Sequence, residues 1–234
     1  MFAPIVDSQL ELLPWQKHLP NDGSQIGGTM PTAADVVPVP GPTPGVMVFV
    51  KGPAYATVEG YITRPNFVTR GFPYTTFNYT IVVDDRTAGQ AQVIETDLIR
   101  IVKHTDGSVF KYDGSFQINI MEGWMLQVDG PAPTAGAPSW KDTGIIIPAL
   151  APNVPHTVSI KHFSDTVKRV HSVLSATIDG VVYPIPAAMQ NIPATPSTWA
   201  PDTDLPQVQL TTNKGGGGYA VILSPVSLAH SVTA

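Results

Sequence analysis

The stretch V-I-E-T-D-L-I-R at positions 93–100 predicts a β-strand that carries two acidic residues, Glu95 and Asp97. Successive side chains of a strand point to opposite faces, so these two carboxylates share one face. Two acids on one side of a strand in an otherwise apolar chain have two interpretations. They belong to a glycosidase active site, or they remain from one in a binding or structural protein.

Short strands separated by turns are predicted over most of the chain. F-N-Y-T-I-V-V (77–83) and F-Q-I-N-I (116–120) alternate apolar residues with others, and H-T-D-G (104–107) is a typical hairpin turn. We find no convincing helical period over 11 or more residues. A length of 234 residues fits one large all-β domain or two small ones. We therefore predict an all-β fold in which two antiparallel sheets pack face to face.

The first 45 residues differ from the rest of the chain. The segment from Pro31 to Gly45 is rich in proline, which favours extended polyproline II and is excluded from the interior of a sheet. We predict an extended arm over residues 1–45 and a β-sandwich domain over residues 46–234. The arm is either a stiff linker or a strap that docks on a neighbouring subunit and supports a homo-oligomer.

Composition excludes several classes of function. The net charge is −5 and the 13 basic residues do not cluster, which argues against nucleic acid and anionic membrane surfaces as partners. No apolar run is long enough to span a bilayer, and the absence of cysteine excludes disulfides and thiolate metal sites. Only 13% of residues are charged, which suits an extracellular, cell-surface or assembly protein, although no signal peptide is recognisable.

Several segments in a fixed order carry a family resemblance. They are G-P-A-Y-A (52–56), E-T-D (95–97), S-F-Q-I-N (115–119), W-K-D-T-G (140–144), P-N-V-P-H-T-V (152–158) and S-A-T-I-D-G-V-V-Y (175–183). Over residues 46 to 230 the chain resembles the concanavalin A-like lectin/glucanase jelly roll, in particular its uncharacterised bacterial single-domain members. The resemblance implies a jelly-roll β-sandwich.

The same resemblance implies that an active site would be incomplete. Laminarinase-type glycosidases of this fold carry Glu-x-Asp-x-x-Glu on one strand, and Glu95 and Asp97 match its first two acids, whereas Arg100 stands at the third. Arginine cannot protonate a leaving group at neutral pH. The nearest later acids are Asp106, Asp113 and Glu122, of which Glu122 could supply the missing role from the adjacent strand. We therefore predict that the protein is not an enzyme.

The predicted ligand-binding residues combine the acid pair with amides and tryptophans. An indole covers the apolar face of a sugar ring, and amides both donate and accept hydrogen bonds, which suits hydroxyl groups. Trp199 is a further stacking candidate, and any one of the tryptophans could instead belong to the core. The predicted set is Glu95, Asp97, Gln117, Asn119, Trp124, Gln127 and Trp140.

Other interpretations of the acids remain open. Glu95 could form an ordinary ion pair with Arg100 or another base, or the two acids could help to hold calcium, although no Asp/Asn-rich calcium loop is present. Otherwise we predict no metal or cofactor. The predicted function is non-catalytic, lectin-like binding of a glycan or polysaccharide. The alternatives are a self-assembling structural subunit of a surface, filament or shell, and a laminarinase-like hydrolase.

Overall fold

A computed structural model describes residues 5–19, 29–65, 71–130 and 140–233 of the chain. Strands dominate, as the alternating sequence predicts. They are β1 (Ile5–Ser8), β2 (Gln16–His18), β3 (Ala33–Val39), β4 (Gly45–Gly52), β5 (Thr57–Tyr61), β6 (Arg64–Pro65), β7 (Tyr74–Val83), β8 (Ala91–Lys103), β9 (Val109–Asn119), β10 (Met125–Val128), β11 (Lys141–Ile146), β12 (Pro155–Asp165), β13 (Val170–Ile178), β14 (Val181–Pro184), β15 (Ile192–Pro193), β16 (Thr195–Pro196), β17 (Thr203–Thr212) and β18 (Gly217–Ser231). The helical elements are one short α-helix, α1 (Thr87–Gln90), and two 3₁₀ turns at Leu10–Leu12 and Ala187–Met189.

The strands form two antiparallel sheets of nine strands each. The main path of the front sheet runs β11-β10-β9-β8-β17-β5-β2, and that of the back sheet runs β14-β13-β12-β7-β18-β4-β3. Neighbours such as β8 and β17 are distant in sequence. This confirms the predicted two-sheet antiparallel jelly-roll sandwich.

The core lies between the inner faces of the two sheets. On β7, Phe77, Tyr79, Ile81 and Val83 are buried and alternate with partly exposed residues. On β8, the inner residues include Ile94 and Leu98, and the odd-numbered residues point away from the core because side chains alternate along a strand. Glu95 and Asp97 therefore lie on the outer face of the front sheet.

The described part of residues 1–45 belongs to the sandwich of its own chain. β3 pairs with β4 at the edge of the back sheet, with Pro38 opposite Val46. β1 pairs with β18 and β2 pairs with β5, so these residues contribute to both sheets. The boundary predicted at residue 45 therefore does not separate two units. Proline is tolerated in β3 because that strand lies at an edge. The parts of the predicted arm at 1–4 and 20–28 lie outside the described residues.

One end of the core is polar instead of apolar. Arg100 on β8 and Asp204 on β17 are almost fully buried, and Arg100 Nε donates to Asp204 Oδ1 at 3.2 Å. His230 Nε2 lies 3.4 Å from Asp204 Oδ2, and His162 and His171 pack near them with ring centroids 5.5 Å apart. This buried cluster joins both sheets.

Gly114 allows this cluster to fit between the sheets. A Cβ atom at position 114 would lie 2.2 Å from His162 Cδ2, which is far inside van der Waals contact. We expect Gly114→Ala to destabilise the fold by about 1–3 kcal/mol, the usual cost of overpacking. Chemical denaturation measures the effect, with Gly89→Ala as control because a Cβ there meets no atom within 4 Å. Equal stability of the two variants would contradict the close contact.

Candidate functional site

A row of polar side chains crosses the outer face of the front sheet from edge to edge. Each member is paired with the next across neighbouring strands. We call this set the polar row; its members, in order from β2 to β11, are His18, Glu59, Gln209, Glu95, Gln117, Gln127 and Asp142. Cross-strand neighbours lie close enough for their side chains to interact, so the row is a continuous surface.

Hydrogen bonds fix the orientation of the polar row. His18 Nδ1 lies 2.6 Å from Glu59 Oε2, and Gln209 Nε2 donates to Glu95 Oε2 at 2.6 Å. On the other side, Gln127 accepts from Gln117 and donates to Asp142 at 2.5 Å. Amides and carboxyls held in this way keep a single geometry before any ligand arrives.

Asp97 belongs to a second row next to the first. The order there is Gln16, Tyr61, Gln207, Asp97 and Ser115. Gln207 Nε2 donates to Asp97 Oδ2, and Tyr61 donates its hydroxyl proton to Gln16 Oε1 at 2.8 Å.

Glu95 and Asp97 share the outer face, as their spacing predicts, and they are almost completely buried. Burial raises the pKa of Glu95 well above its usual range, and the neighbouring Asp97 raises it further through charge repulsion. Burial also raises the pKa of Asp97, with Asp113 adding repulsion. Both shifts favour the protonated form of these carboxyls.

Arg100 does not take part in this face. β8 and β9 pair in one register from Val93 to Lys103 without a bulge, so position 100 points into the core, opposite to Glu95 and Asp97. There its guanidinium is paired with Asp204. The suggested ion pair between Glu95 and Arg100 is therefore wrong, because the two side chains lie on opposite faces of the strand.

One accessible part of the face is a groove over β2, β5 and β17. Its volume is about 320 Å³, and we call it the Trp199 groove; His18, Glu59, Tyr61, Trp199, Leu205 and Gln207 are among its lining residues. Trp199 is 50% exposed, and Lys111 Nζ lies 5.9 Å from its ring centroid. The groove combines an exposed indole with the fixed polar atoms of Glu59 and Gln207.

The predicted site residues divide between this face and other places. Gln117, Asn119 and Gln127 lie in one hydrogen-bonded group next to Glu95. Trp124 instead packs against the core, where burial of its indole outweighs display to solvent. Trp140 is half-buried just before β11, at the opposite edge of the sheet from the Trp199 groove.

Several residues of the face are absent from the predicted set. T-V-E-G-Y (57–61) and P-Q-V-Q-L (206–210) alternate polar and apolar residues, and this alternation could have indicated Glu59, Tyr61, Gln207 and Gln209. The sequence does not show which strands pair. Gln209 and Glu95, which are hydrogen-bonded across β17 and β8, are 114 residues apart. Strand order decides which polar side chains meet.

The described residues contain neither a metal-binding cluster nor a membrane-spanning helix. Within the described ranges, His, Asp and Glu side chains nowhere form a group of three that could hold a metal ion. None of the helices in the described part of the chain has the length and apolar character needed to cross a bilayer.

Comparisons with known proteins identify structural relatives only. No protein-family model and no curated protein sequence matches the chain. Among solved structures, the carbohydrate recognition domain of Emp46p in its potassium-bound form superposes with a TM-score of 0.54 at 8% identity, covering 97% of both chains. Peanut lectin gives a TM-score of 0.50 at 10% identity, covering 99% of this chain and 100% of the lectin.

The structure of one lyase is about as similar to this chain as that of peanut lectin. The endo-β-1,4-glucuronan lyase of the fungus Trichoderma reesei gives a TM-score of 0.50 at 11% identity, covering 91% of this chain and 94% of the enzyme. Identities this low establish the fold and leave the activity to be argued from the site. The two nine-stranded sheets together with these likenesses show that the chain has the concanavalin A-like jelly-roll fold.

Proposed function

We propose that the protein is a non-catalytic carbohydrate-binding protein that holds a glycan in the Trp199 groove. The observation that carries the proposal is the position of a half-exposed tryptophan beside prearranged hydrogen-bonding groups. Sugars need both kinds of contact, because a pyranose has an apolar C–H face and a rim of hydroxyl groups. Lectins among the structures with the same fold are consistent with this function.

Each groove residue has a distinct part in the proposed complex. The indole of Trp199 stacks on the C–H face of one sugar ring. Glu59, fixed by His18, accepts hydrogen bonds from hydroxyls, and Tyr61 adds an aromatic edge. Because these groups are already held by the sheet, little side-chain entropy is lost on binding.

Charge selects among glycans. Glu59 lines the groove from β5, and the Glu95–Asp97 pair lies on the same face on β8, on the other side of β17. Lys111, the cation near Trp199, is paired with Asp113 at 2.7 Å. The carboxylate of Glu59 in the groove repels the carboxylates of a polyuronate, so we propose neutral glycans as ligands and not the uronates on which lyases act.

We expect Trp199→Ala to weaken glycan binding at least tenfold, because stacking on the indole provides most of the apolar contact. A glycan array identifies a ligand, and calorimetry then compares the native protein with the variant. Tyr55→Ala is the matched control, since Tyr55 is an exposed aromatic residue that does not line the groove. The proposed site would be contradicted if Trp199→Ala bound the glycan as tightly as the native protein while Tyr55→Ala bound it more weakly.

Hydrolysis is a second candidate, favoured by the position of Glu59. One strand, β17, separates Glu59 from Glu95, which places their backbones roughly 9–10 Å apart. Inverting glycosidases use carboxyls about 6.5–9.5 Å apart. Glu122 is a poorer partner, because it lies in the turn between β9 and β10 and not on a strand of this face, and its Oε2 already accepts from Gln127 Nε2 at 3.3 Å. A reducing-sugar assay on β-glucans decides: turnover that is lost in Glu95→Gln would establish an enzyme.

Location and assembly also remain proposals. Low charge and a polar, uncharged surface support an extracellular or cell-surface location. Self-assembly through residues 1–45 is tested by light scattering of the native chain at micromolar concentration. A strict monomer would exclude the structural-subunit alternative.

A further inference from the structure

A second cavity lies at the end of the sandwich, formed by the β8–β9 hairpin and the turn between β12 and β13. Its volume is about 450 Å³, within the range of small-molecule sites. Lys103, His104, Asp106, Thr166 and Arg169 are among its lining residues. None of them lines the Trp199 groove or belongs to the polar row.

Arg169 is held in place but uses only part of its guanidinium. Its Nη2 donates to Asp106 Oδ2 at 2.6 Å and to Ser108 Oγ at 3.4 Å, and its Cζ lies 4.5 Å from the ring centroid of Phe110. Among the described residues, Nε and Nη1 have no hydrogen-bond partner. A stacked guanidinium with a free edge is a preorganised donor for a planar or tetrahedral oxyanion.

The cavity lining carries two cations, Lys103 and Arg169, and one acid, Asp106, and a second acid, Asp202, lies beside Lys103, whose backbone N–H donates to Asp202 Oδ1 at 3.4 Å. Lys103 lines the cavity, and its ammonium makes no hydrogen bond or ion pair with the described part of the protein. The single carboxylate in the lining, Asp106, is already engaged: Oδ1 accepts from the backbone and hydroxyl of Ser108, and Oδ2 accepts from Arg169. Two cations therefore face the cavity, and the one acid has its oxygens occupied.

We propose that this cavity binds a small anion through the free guanidinium edge of Arg169 and the ammonium of Lys103. The volume admits a molecule of about monosaccharide size, and exposed threonine hydroxyls at positions 105 and 166 supply further polar contacts. A carboxylate and a phosphate present the same oxyanion chemistry to these donors. The site is separate from the Trp199 groove and does not depend on the function proposed for it.

The test is a titration of the full ¹⁵N-labelled chain, monitored by amide chemical shifts, with three probes: glucuronate, inorganic phosphate and glucose. We expect glucuronate, phosphate or both to shift amides at 103–106 and 166–169 with millimolar affinity, and glucose to leave them unchanged. Binding through glucuronate alone identifies an organic carboxylate as the ligand class, and binding of phosphate alone identifies phosphate. Added salt should weaken either interaction.

Variants separate this site from non-specific attraction. We expect Arg169→Ala to weaken binding at least tenfold, and Lys103→Ala to weaken it several-fold without affecting the hairpin. Lys168→Ala is the control, because Lys168 is a neighbouring exposed cation that lies outside the cavity lining. Shifts induced equally by glucose, absence of shifts with both anions, or native affinity in both the Arg169 and Lys103 variants would each overturn the proposal.

Discussion

Replacing Arg100 by methionine is expected to destabilise the protein by about 3–5 kcal/mol, because it leaves a buried carboxylate without its partner. Arg100 and Asp204 are 1% and 0% exposed, and their side chains are 3.2 Å apart. Even with the guanidinium present, burial raises the pKa of Asp204 to about 6. Without it, Asp204 must be protonated in the folded state.

Thermal denaturation measures the effect, and a loss of this size corresponds to a Tm about 10 °C lower. The control is Arg86→Met, which removes the exposed ion pair with Asp84 and should cost at most about 1 kcal/mol. The double variant Arg100→Met, Asp204→Leu should recover much of the loss, because no unpaired charge remains. A loss below about 1 kcal/mol for Arg100→Met alone would contradict the buried pair.

Stability is expected to fall by about 2–3 kcal/mol as the pH rises from 6.5 to 8.5. Burial raises the pKa values of Glu95 and Asp97, with repulsion from Asp97 adding to the first and repulsion from Asp113 adding to the second, and burial raises the pKa of Asp129 to about 7. The folded chain therefore holds protons that the unfolded chain has released near pH 4. A group with a raised folded pKa stabilises the fold at low pH and loses that contribution as the pH rises through the folded value.

Buried histidines act in the opposite direction, but at lower pH. Burial lowers the pKa of His171 to about 4 and that of His230 to about 3, and it also lowers the pKa of His162. The folded protein therefore loses stability as the pH falls below about 6.5, where the histidines of the unfolded chain take up protons that the buried histidines do not. The change in stability between pH 6.5 and 8.5 therefore comes mainly from the carboxyl groups.

Glu95→Gln is the variant that isolates the acid pair. Glutamine has nearly the same shape and no proton to lose, so the variant should be more stable than the native protein at pH 8.5 and should show a weaker pH dependence. Urea denaturation at both pH values measures this. A native stability that is constant or increases from pH 6.5 to 8.5 would mean that the pair is already ionised in the fold.

The fold could be predicted from the sequence because alternation is a local property. F-N-Y-T-I-V-V became β7 with its alternate residues buried, and the acids of β8 share one face as their spacing requires. The N-terminal segment was harder to interpret. Its prolines indicated an extended arm, whereas β3 completes the edge of a sheet, because the pairing partner of an edge strand is not encoded nearby.

The site was predicted only in part, for the same reason. Glu95, Gln117 and Gln127 adjoin one another through β8, β9 and β10, which are consecutive in sequence. Glu59 and Gln209 reach the same row only through strands at least 30 residues from β8 on either side. The role of each tryptophan depends on burial, which separates Trp124, partly buried against the core, from half-exposed Trp199.

Chemical-shift mapping with a neutral oligosaccharide selected on a glycan array tests the central claim most directly. The account predicts that the largest shifts occur at the indole N–H of Trp199 and at the amides of Tyr61 and Gln207, with saturation at a single affinity. A glycan that saturates the protein while leaving these signals unchanged would contradict it.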